Sequence, residues 1–198
     1  SIFGKSWDLH VEKILNATLQ KNLELVYNTV KFFKDRNKEV IFDAEHYFDG
    51  YKSNSEYALS VLNEAARAGA DCLCLCDTNG GTLPGEIYNA VRAVKNKFKD
   101  IKIGIHCHND TGCAVASSIA AVEAGAMHVQ GTFTGIGERC GNTDLSVFIP
   151  NMQLKMGYKC TEEGMDKLTE AVVKISEICN MPVSSNKPYT GASAFAHK

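Results

Sequence analysis

The same join between a helix and a strand occurs twice in this 198-residue chain. Residues 68–70 and 124–126 both have the sequence Ala-Gly-Ala, and each join ends a helical segment and leads into a strand-like run. Glycine ends helices because it adopts the left-handed backbone conformation at little cost. The repeat therefore predicts successive right-handed strand–helix units in a parallel sheet.

The pattern of apolar residues and turn signals predicts five strands, the first four followed by clear helices. The strands are predicted at 1–5, 39–44, 71–76, 102–106 and 128–133. Helices are predicted at about 18–34, 53–67, 82–98, 114–123 and 162–180. Ser53 and Glu56 have the spacing of a capping box and are expected to open the second helix.

Parallel strands covered by helices leave two folds open, a doubly wound sheet and a (β/α)8 barrel. Every second residue of a strand faces the same side, and in three strands the residues on one side are polar. They are Asp43 and Glu45; His106 and His108; and His128, Gln130 and Thr132. An open sheet buried on both faces is more uniformly apolar, whereas barrel interiors collect active-site groups at the carboxyl ends of the strands. No Gly-x-Gly-x-x-Gly follows a strand, which also favours the barrel.

A closed barrel of this type needs eight strands, more than the sequence predicts. We therefore expect a partial (β/α)8 TIM barrel, in which residues 1–180 are its C-terminal part, about strands 4 to 8 with their helices. Residues 181–198, with two prolines, are expected to begin a linker to a C-terminal subdomain.

Composition indicates an ordinary globular protein, with 44% hydrophobic and 22% charged residues and a net charge of −2. This charge favours neither nucleic acid nor a membrane surface as a partner, and no apolar run is long enough to span a bilayer. Three of the eight cysteines alternate along one predicted strand, and no Cys-x-x-Cys occurs. Free thiols in a reducing compartment are the expected state, which favours a cytoplasmic location.

His106 and His108 carry the strongest chemical signal. Alternation along a strand places both imidazoles on one face at the strand end, where they are preorganised to bind one divalent metal ion. The alternative is a pair of ordinary surface or core histidines. The segment Gly-Glu-Arg-Cys-Gly-Asn, residues 137–142, follows the next strand and favours the metal site, because its glycines allow tight turns toward the histidines.

Four motifs together resemble one enzyme family, the metal-dependent acyl-CoA Claisen-condensing enzymes. They are His-Cys-His-Asn-Asp at 106–110, Gly-Glu-Arg-Cys-Gly-Asn at 137–142, Cys-Asp-Thr-Asn-Gly-Gly at 76–81 and Ala-Phe-Ala-His at 194–197. The family comprises the isopropylmalate, homocitrate and citramalate synthases. Within it, Phe-Asp-Ala-Glu-His-Tyr-Phe-Asp-Gly-Tyr at 42–51 most resembles the citramalate synthase branch.

The resemblance implies an acyltransferase that condenses acetyl-CoA with a 2-keto acid, in branched-chain amino-acid biosynthesis. It implies that His106, His108 and Asn142 are ligands of a divalent metal ion, which could be Mg, Mn or Zn. Glu138 and Arg139 are expected to form an ion pair that orients Asn142. The family's linker reaches the neighbouring subunit's site, so a homodimer is expected.

The resemblance also implies three further site residues, and position along the chain adds a fourth candidate. Glu45 is expected to be the catalytic carboxylate that takes a proton from the acetyl methyl group; a solvated or ion-paired glutamate is the alternative. Thr78 is expected to contact the substrate carboxylate, and turn chemistry in its loop is the alternative. His197 is a second candidate catalytic residue. His10 lies just past the first predicted strand and could line the substrate site; an incidental histidine is the alternative.

Two rival functions remain open. One is an acyl-CoA lyase of the same superfamily, although Asn109 after the second histidine and the 137–142 segment favour condensation. The other is a non-catalytic metal-binding fragment. The family places a fourth metal ligand, an Asp, and a catalytic Arg in its first strand, which these residues do not include. We therefore expect the 198 residues alone to be inactive.

Overall fold

The structure is a computed structural model that describes residues 1–196 and contains one parallel sheet in that range. Its strands are β1 (Ile2–Lys5), β2 (Ile41–Glu45), β3 (Cys72–Asp77), β4 (Lys102–Cys107) and β5 (His128–Gln130). The spatial order is β1-β2-β3-β4-β5, so every strand lies beside the next one in the chain. A doubly wound sheet reverses its order at a switch point, so this order is that of a barrel wall.

The helices lie between and after the strands: α1 (Asp8–Lys13), α2 (Leu19–Lys34), α3 (Tyr47–Ser53), α4 (Ser55–Arg67), α5 (Pro84–Lys97), α6 (Ala114–Glu123), α7 (Leu145–Pro150) and α8 (Leu168–Ile178). The four predicted connecting helices are confirmed as α2, α4, α5 and α6. Helices α1, α3 and α7 have only six or seven residues, too few for a periodic pattern to identify. Within residues 1–196, none of the helices combines the length and apolarity needed to cross a bilayer.

Three predicted boundaries were wrong. Ser53 ends α3, and the cap of α4 is Asn54, whose side chain accepts a hydrogen bond from Tyr57 N at 3.1 Å. Strand β5 ends at Gln130 rather than at residue 133, because the chain then turns into a 3₁₀ segment. Helix α8 begins six residues later than predicted, since Gly164 has a φ of 96° and a 3₁₀ turn precedes the helix.

The apolar core lies between the outer face of the sheet and the helices. Leu73, Leu75, Ile103 and Ile105 are completely buried on that face. Helix α4 presents an apolar stripe to the core, comprising Tyr57, Ala58, Val61, Leu62 and Ala65. Full burial of a Val, Leu or Ile side chain stabilises a fold by about 1.5–3 kcal/mol. This packing anchors the strands, and their inner face remains available for polar groups.

The sheet is strongly curved. Gln130 on β5 donates a hydrogen bond to Asp43 Oδ1 on β2 at 2.8 Å, although β3 and β4 lie between those strands. In a flat sheet, strands three positions apart would be separated by about 14 Å. The described chain is therefore a partial (β/α)8 barrel whose polar residues face its interior, as the alternation predicted.

Candidate active site

The predicted metal ligands meet where β4 ends. The imidazole rings of His106 and His108 have centroids 5.2 Å apart. His108 also forms an isolated antiparallel bridge with Asn142, so the glycine-rich loop after β5 returns to the end of β4. All three residues predicted as ligands thus lie in one region at the carboxyl end of the sheet, the end where barrel enzymes hold their active sites.

Glycines shape this loop around Asn142. Gly141 has a φ of 93°, and a Cβ atom there would lie 2.1 Å from the carbonyl oxygen of Gly135. A Cβ atom on Gly137 would lie 2.7 Å from the Asn142 side chain. The loop is also tied to β4 by a hydrogen bond from Asn109 N to Gly141 O at 2.9 Å. Larger residues at these positions would displace Asn142.

The donor atoms fit a divalent metal ion. His108 Nδ1 and Asn142 Oδ1 are buried and have no hydrogen-bond partner among residues 1–196. Buried polar atoms nearly always have a partner, so this pair indicates a missing ligand. Burial lowers the pKa of His108, and the nearby His106 and Arg139 lower it further. At neutral pH His108 is therefore a neutral imidazole, the form that binds metals.

Arg139 joins the loops that follow three strands. Its Nε and Nη2 atoms donate to Asp110 Oδ1 and Oδ2 at 2.8 and 2.9 Å, and Nη2 also donates to Thr78 O at 2.6 Å. The predicted pair with Glu138 is the weaker contact, at 3.6 Å. Asp110 is the main partner because its two carboxylate oxygens match the guanidinium fork. The Arg139 side chain lowers the pKa of Asp110 through these hydrogen bonds.

Glu45 lies at the end of β2, on the inner face. Its register partner on β1 is Lys5, whose Nζ atom lies 2.5 Å from Glu45 Oε2. This contact is a charge pair rather than an aligned hydrogen bond, since Oε2 has no hydrogen-bond partner among residues 1–196. Both side chains are less than a quarter exposed. The ion-paired alternative for Glu45 is thus present in the structure, and it is compatible with a catalytic role.

Thr78 lies in the loop after β3. Its Oγ1 atom accepts a hydrogen bond from His46 N at 2.8 Å, and within the described part of the chain its hydroxyl hydrogen has no acceptor. His46 has a φ of 56°, in the left-handed region, where β2 ends and the short helix α3 begins. The turn role and the substrate role of Thr78 are therefore compatible.

His10 packs within an aromatic cluster on the Glu45 side of the site. Its ring stacks on Trp7 at a centroid distance of 4.6 Å and meets the edge of His46 at 4.3 Å. Burial lowers the pKa of His10, as do His46 and Lys5. His10 is therefore a neutral imidazole at neutral pH. His197 lies outside the described residues.

The sequence did not single out a half-buried series of polar side chains beside the histidines. His106 Nδ1 lies 2.9 Å from Gln130 Oε1, and the Gln130 amide nitrogen donates to Asp43. Asp43 also lies near Cys74 and Cys76, with candidate ligand atoms all within 4.8 Å of one another. Its carboxylate is already hydrogen bonded to Gln130, and the contact with Cys76 and burial both raise the pKa of Cys74. The group of His106, His108 and Asn142 is therefore the better candidate for a metal site.

Comparisons with known proteins identify relatives of this chain. The "(R)-citramalate synthase" of Aquifex aeolicus is 58% identical over 199 residues, covering 100% of this chain and 38% of the relative. The "2-isopropylmalate synthase" of Psychromonas ingrahamii is 33% identical over 195 residues, covering 96% of this chain and 37% of the relative. This order confirms the predicted resemblance to the citramalate synthase type. The chain spans less than two fifths of the length of these relatives.

A solved structure confirms the fold. The crystal structure of the Bacillus subtilis HMG-CoA lyase matches with a TM-score of 0.79 and 21% sequence identity, covering 93% of this chain and 64% of that chain. The model of the HMGL-like family matches residues 1–180. The chain therefore belongs to the HMGL-like family.

Proposed function

We propose that the full-length protein is an acyltransferase that condenses acetyl-CoA with a 2-keto acid in a metal-dependent Claisen reaction. The observation that carries this proposal is the convergence of His106, His108 and Asn142, in which two buried side-chain atoms have no hydrogen-bond partner among residues 1–196. The names of the relatives point to pyruvate as the keto acid, because acetyl-CoA, pyruvate and water give citramalate and free CoA. The lyase alternative is not favoured, since the similar sequences are those of synthases.

In this proposal, His106, His108 and Asn142 hold the metal ion. A bound divalent ion supplies Lewis acidity to the ketone and stabilises the negative charge that develops on its oxygen. Mixed nitrogen and oxygen donors suit Mg, Mn or Zn. The Thr78 hydroxyl donates a hydrogen bond to the keto-acid carboxylate, and this contact fixes the orientation of the ketone.

Glu45 is the proposed base that removes a proton from the acetyl methyl group. One register step beyond the Ala44–Leu75 pair, Glu45 lies level with Cys76, which pairs with His106. Two strand spacings, about 10 Å, therefore separate the backbones of Glu45 and His106, and both side chains lie at the carboxyl end of the sheet. The Lys5 ammonium group keeps the Glu45 carboxylate on the inner face.

The remaining parts of the proposal concern the whole protein. We place it in the cytoplasm, supported by the eight free cysteines. A homodimer, the division at residue 180 and a catalytic contact from His197 stay as predictions from the family resemblance.

A thiol-release assay with acetyl-CoA and pyruvate tests the proposed function in the full-length protein. We expect CoA release that stops on chelation and returns with added Mn²⁺ or Mg²⁺, with citramalate as the product. Glu45→Gln is expected to lower turnover by about 10²–10⁴-fold, because it removes the base, while pyruvate binding is retained. Glu64→Gln on α4 is the matched control and should keep full turnover. CoA release that is independent of metal or of Glu45 would contradict the proposal.

A further inference from the structure

We propose that Asp43 and Gln130 are positioning residues that fix the tautomer of His106, so that its Nε2 atom presents a lone pair to the metal ion. This inference rests on the ligand role of His106 in the proposed function. It concerns two residues that do not themselves reach the metal ion but decide how one ligand is presented to it.

The direction of each hydrogen bond follows from the carboxylate. An ionised Asp43 can only accept, so the Gln130 side chain must turn its NH₂ group toward Oδ1, and the distance is 2.8 Å. The Gln130 carbonyl oxygen then faces His106 Nδ1 at 2.9 Å. A carbonyl oxygen accepts only, so Nδ1 carries the proton. In a neutral imidazole, Nε2 is then the nitrogen with the free lone pair.

The strand register makes this chain of contacts possible. His106 and Gln130 are direct register partners on β4 and β5, so their side chains share one face and one level. Asp43 lies on β2, two residues nearer the amino end of the sheet. It pairs in register with Cys74 on β3, which in turn pairs with Gly104 on β4. A Cβ atom on Gly104 would lie 3.0 Å from the His128 ring and 3.2 Å from Cys72 Sγ. The glycine therefore keeps the interior open where Gln130 reaches across to Asp43.

The hydrogen bonds from His106 through Gln130 to Asp43 have a form common at metal-binding histidines. In that form, the ring nitrogen that does not bind the metal donates to an acceptor held by other residues. Here the acceptor is an amide oxygen, and the carboxylate holds the amide in one orientation. Without Asp43, the Gln130 side chain can rotate and offer its NH₂ group to Nδ1, which would select the other tautomer. Asp43 and Gln130 therefore act on the metal ion only through His106.

Nitrogen-15 NMR of the imidazoles in the metal-free, full-length protein tests the tautomer without any substitution. We expect a protonated, pyrrole-type shift at His106 Nδ1 and an unprotonated, pyridine-type shift at Nε2 near neutral pH. His106→Ala assigns the signals. The opposite pattern, or an equal mixture of both tautomers, would overturn the inference.

Metal affinity tests the consequence. Titration calorimetry with Mn²⁺ should show affinity about 10–100-fold weaker in Gln130→Leu, since positioning residues of metal ligands have effects of this size. The double variant D43N/Q130E exchanges the carboxylate and the amide. The Asn NH₂ group can donate to the Glu carboxylate, and that carboxylate can still accept from His106 Nδ1. This variant should therefore restore most of the affinity. Gln153→Leu, whose side chain contacts Thr161 away from the histidines, is the matched control.

The outcomes separate the two proposals. Wild-type affinity in Gln130→Leu, or no recovery in the folded double variant, would overturn the positioning role. Absence of CoA release by the wild-type protein would refute the proposed function but would leave the NMR and calorimetry results unchanged.

Discussion

Replacing Arg139 by lysine should separate the stability of the fold from the affinity for metal. Arg139 links Asp110 after β4 and Thr78 after β3 to the loop that carries Asn142, through three hydrogen bonds of 2.6–2.9 Å. Lysine keeps the charge but not the planar fork, so it cannot hold both carboxylate oxygens and the carbonyl at once. The substitution therefore loosens the loop and leaves the core unchanged.

Exposure sets the expected size of each effect. The side chains of Arg139 and Asp110 are 43% and 25% exposed, so solvent screens their attraction. We expect a loss of only about 0.2–1 kcal/mol in unfolding free energy, the usual range for exposed pairs. For a domain of this size, that loss lowers Tm by no more than about 2–4 °C. Metal affinity should fall by about 10–100-fold, because the position of Asn142 is no longer fixed.

Calorimetric Mn²⁺ titration and thermal unfolding of the full-length Arg139→Lys variant measure the two effects. Arg92→Lys on α5, where the arginine donates a hydrogen bond to the Tyr88 hydroxyl and lies over the same ring, is the matched control and should change neither quantity appreciably. Metal affinity within twofold of wild type in Arg139→Lys would refute the reasoning, as would a fall in Tm large enough to indicate general unfolding.

Three further predictions concern the loop, pH and the core. Gly141→Ala should weaken Mn²⁺ binding more than Gly112→Ala, since both glycines have positive φ but a Cβ atom meets backbone only at Gly141; equal effects in calorimetry would contradict the steric argument. Arg139 lowers the pKa of Asp110 in the folded protein. The ionised Asp110 therefore stabilises the fold at pH values above its pKa in the unfolded chain, about 4, and this stabilisation is lost as pH falls below that value. Thermal unfolding should accordingly show the difference between wild type and Asp110→Asn shrinking below that pH, and a constant difference would exclude the charge pair as its cause. Leu75→Ala, in the fully buried outer face, should cost about 2–5 kcal/mol in denaturant unfolding, and a loss below 1 kcal/mol would show that β3 is not in the core.

The sequence predicted the fold well because its information is local and periodic. Alternation on the strands placed Asp43, His106 and Gln130 on one face, and the structure confirms that face as the interior. The Ala-Gly-Ala joins correctly marked the ends of α4 and α6. Errors arose where short-range geometry decided the boundary, as at Asn54, which replaces Ser53 as the helix cap.

The site was predictable as a set of residues but not as a network of contacts. The residues proposed as metal ligands were predicted from a same-face spacing, a glycine-rich segment and the family resemblance, and the structure brings them into one region. The Arg139–Asp110 pair joins residues 29 positions apart, and the Gln130–Asp43 bond joins residues 87 apart. Such contacts depend on the curvature of the sheet, which a pattern along one strand does not contain. For the same reason Lys5 was not recognised as the partner of Glu45, since only the register of β1 against β2 brings them together.

The most direct test of the metal site is anomalous diffraction at the manganese edge from crystals of the protein grown with Mn²⁺. We predict one strong peak within coordination distance of His106, His108 and Asn142, at the carboxyl end of β4. A peak at Asp43, Cys74 and Cys76 instead, with none at the histidines, would contradict the account.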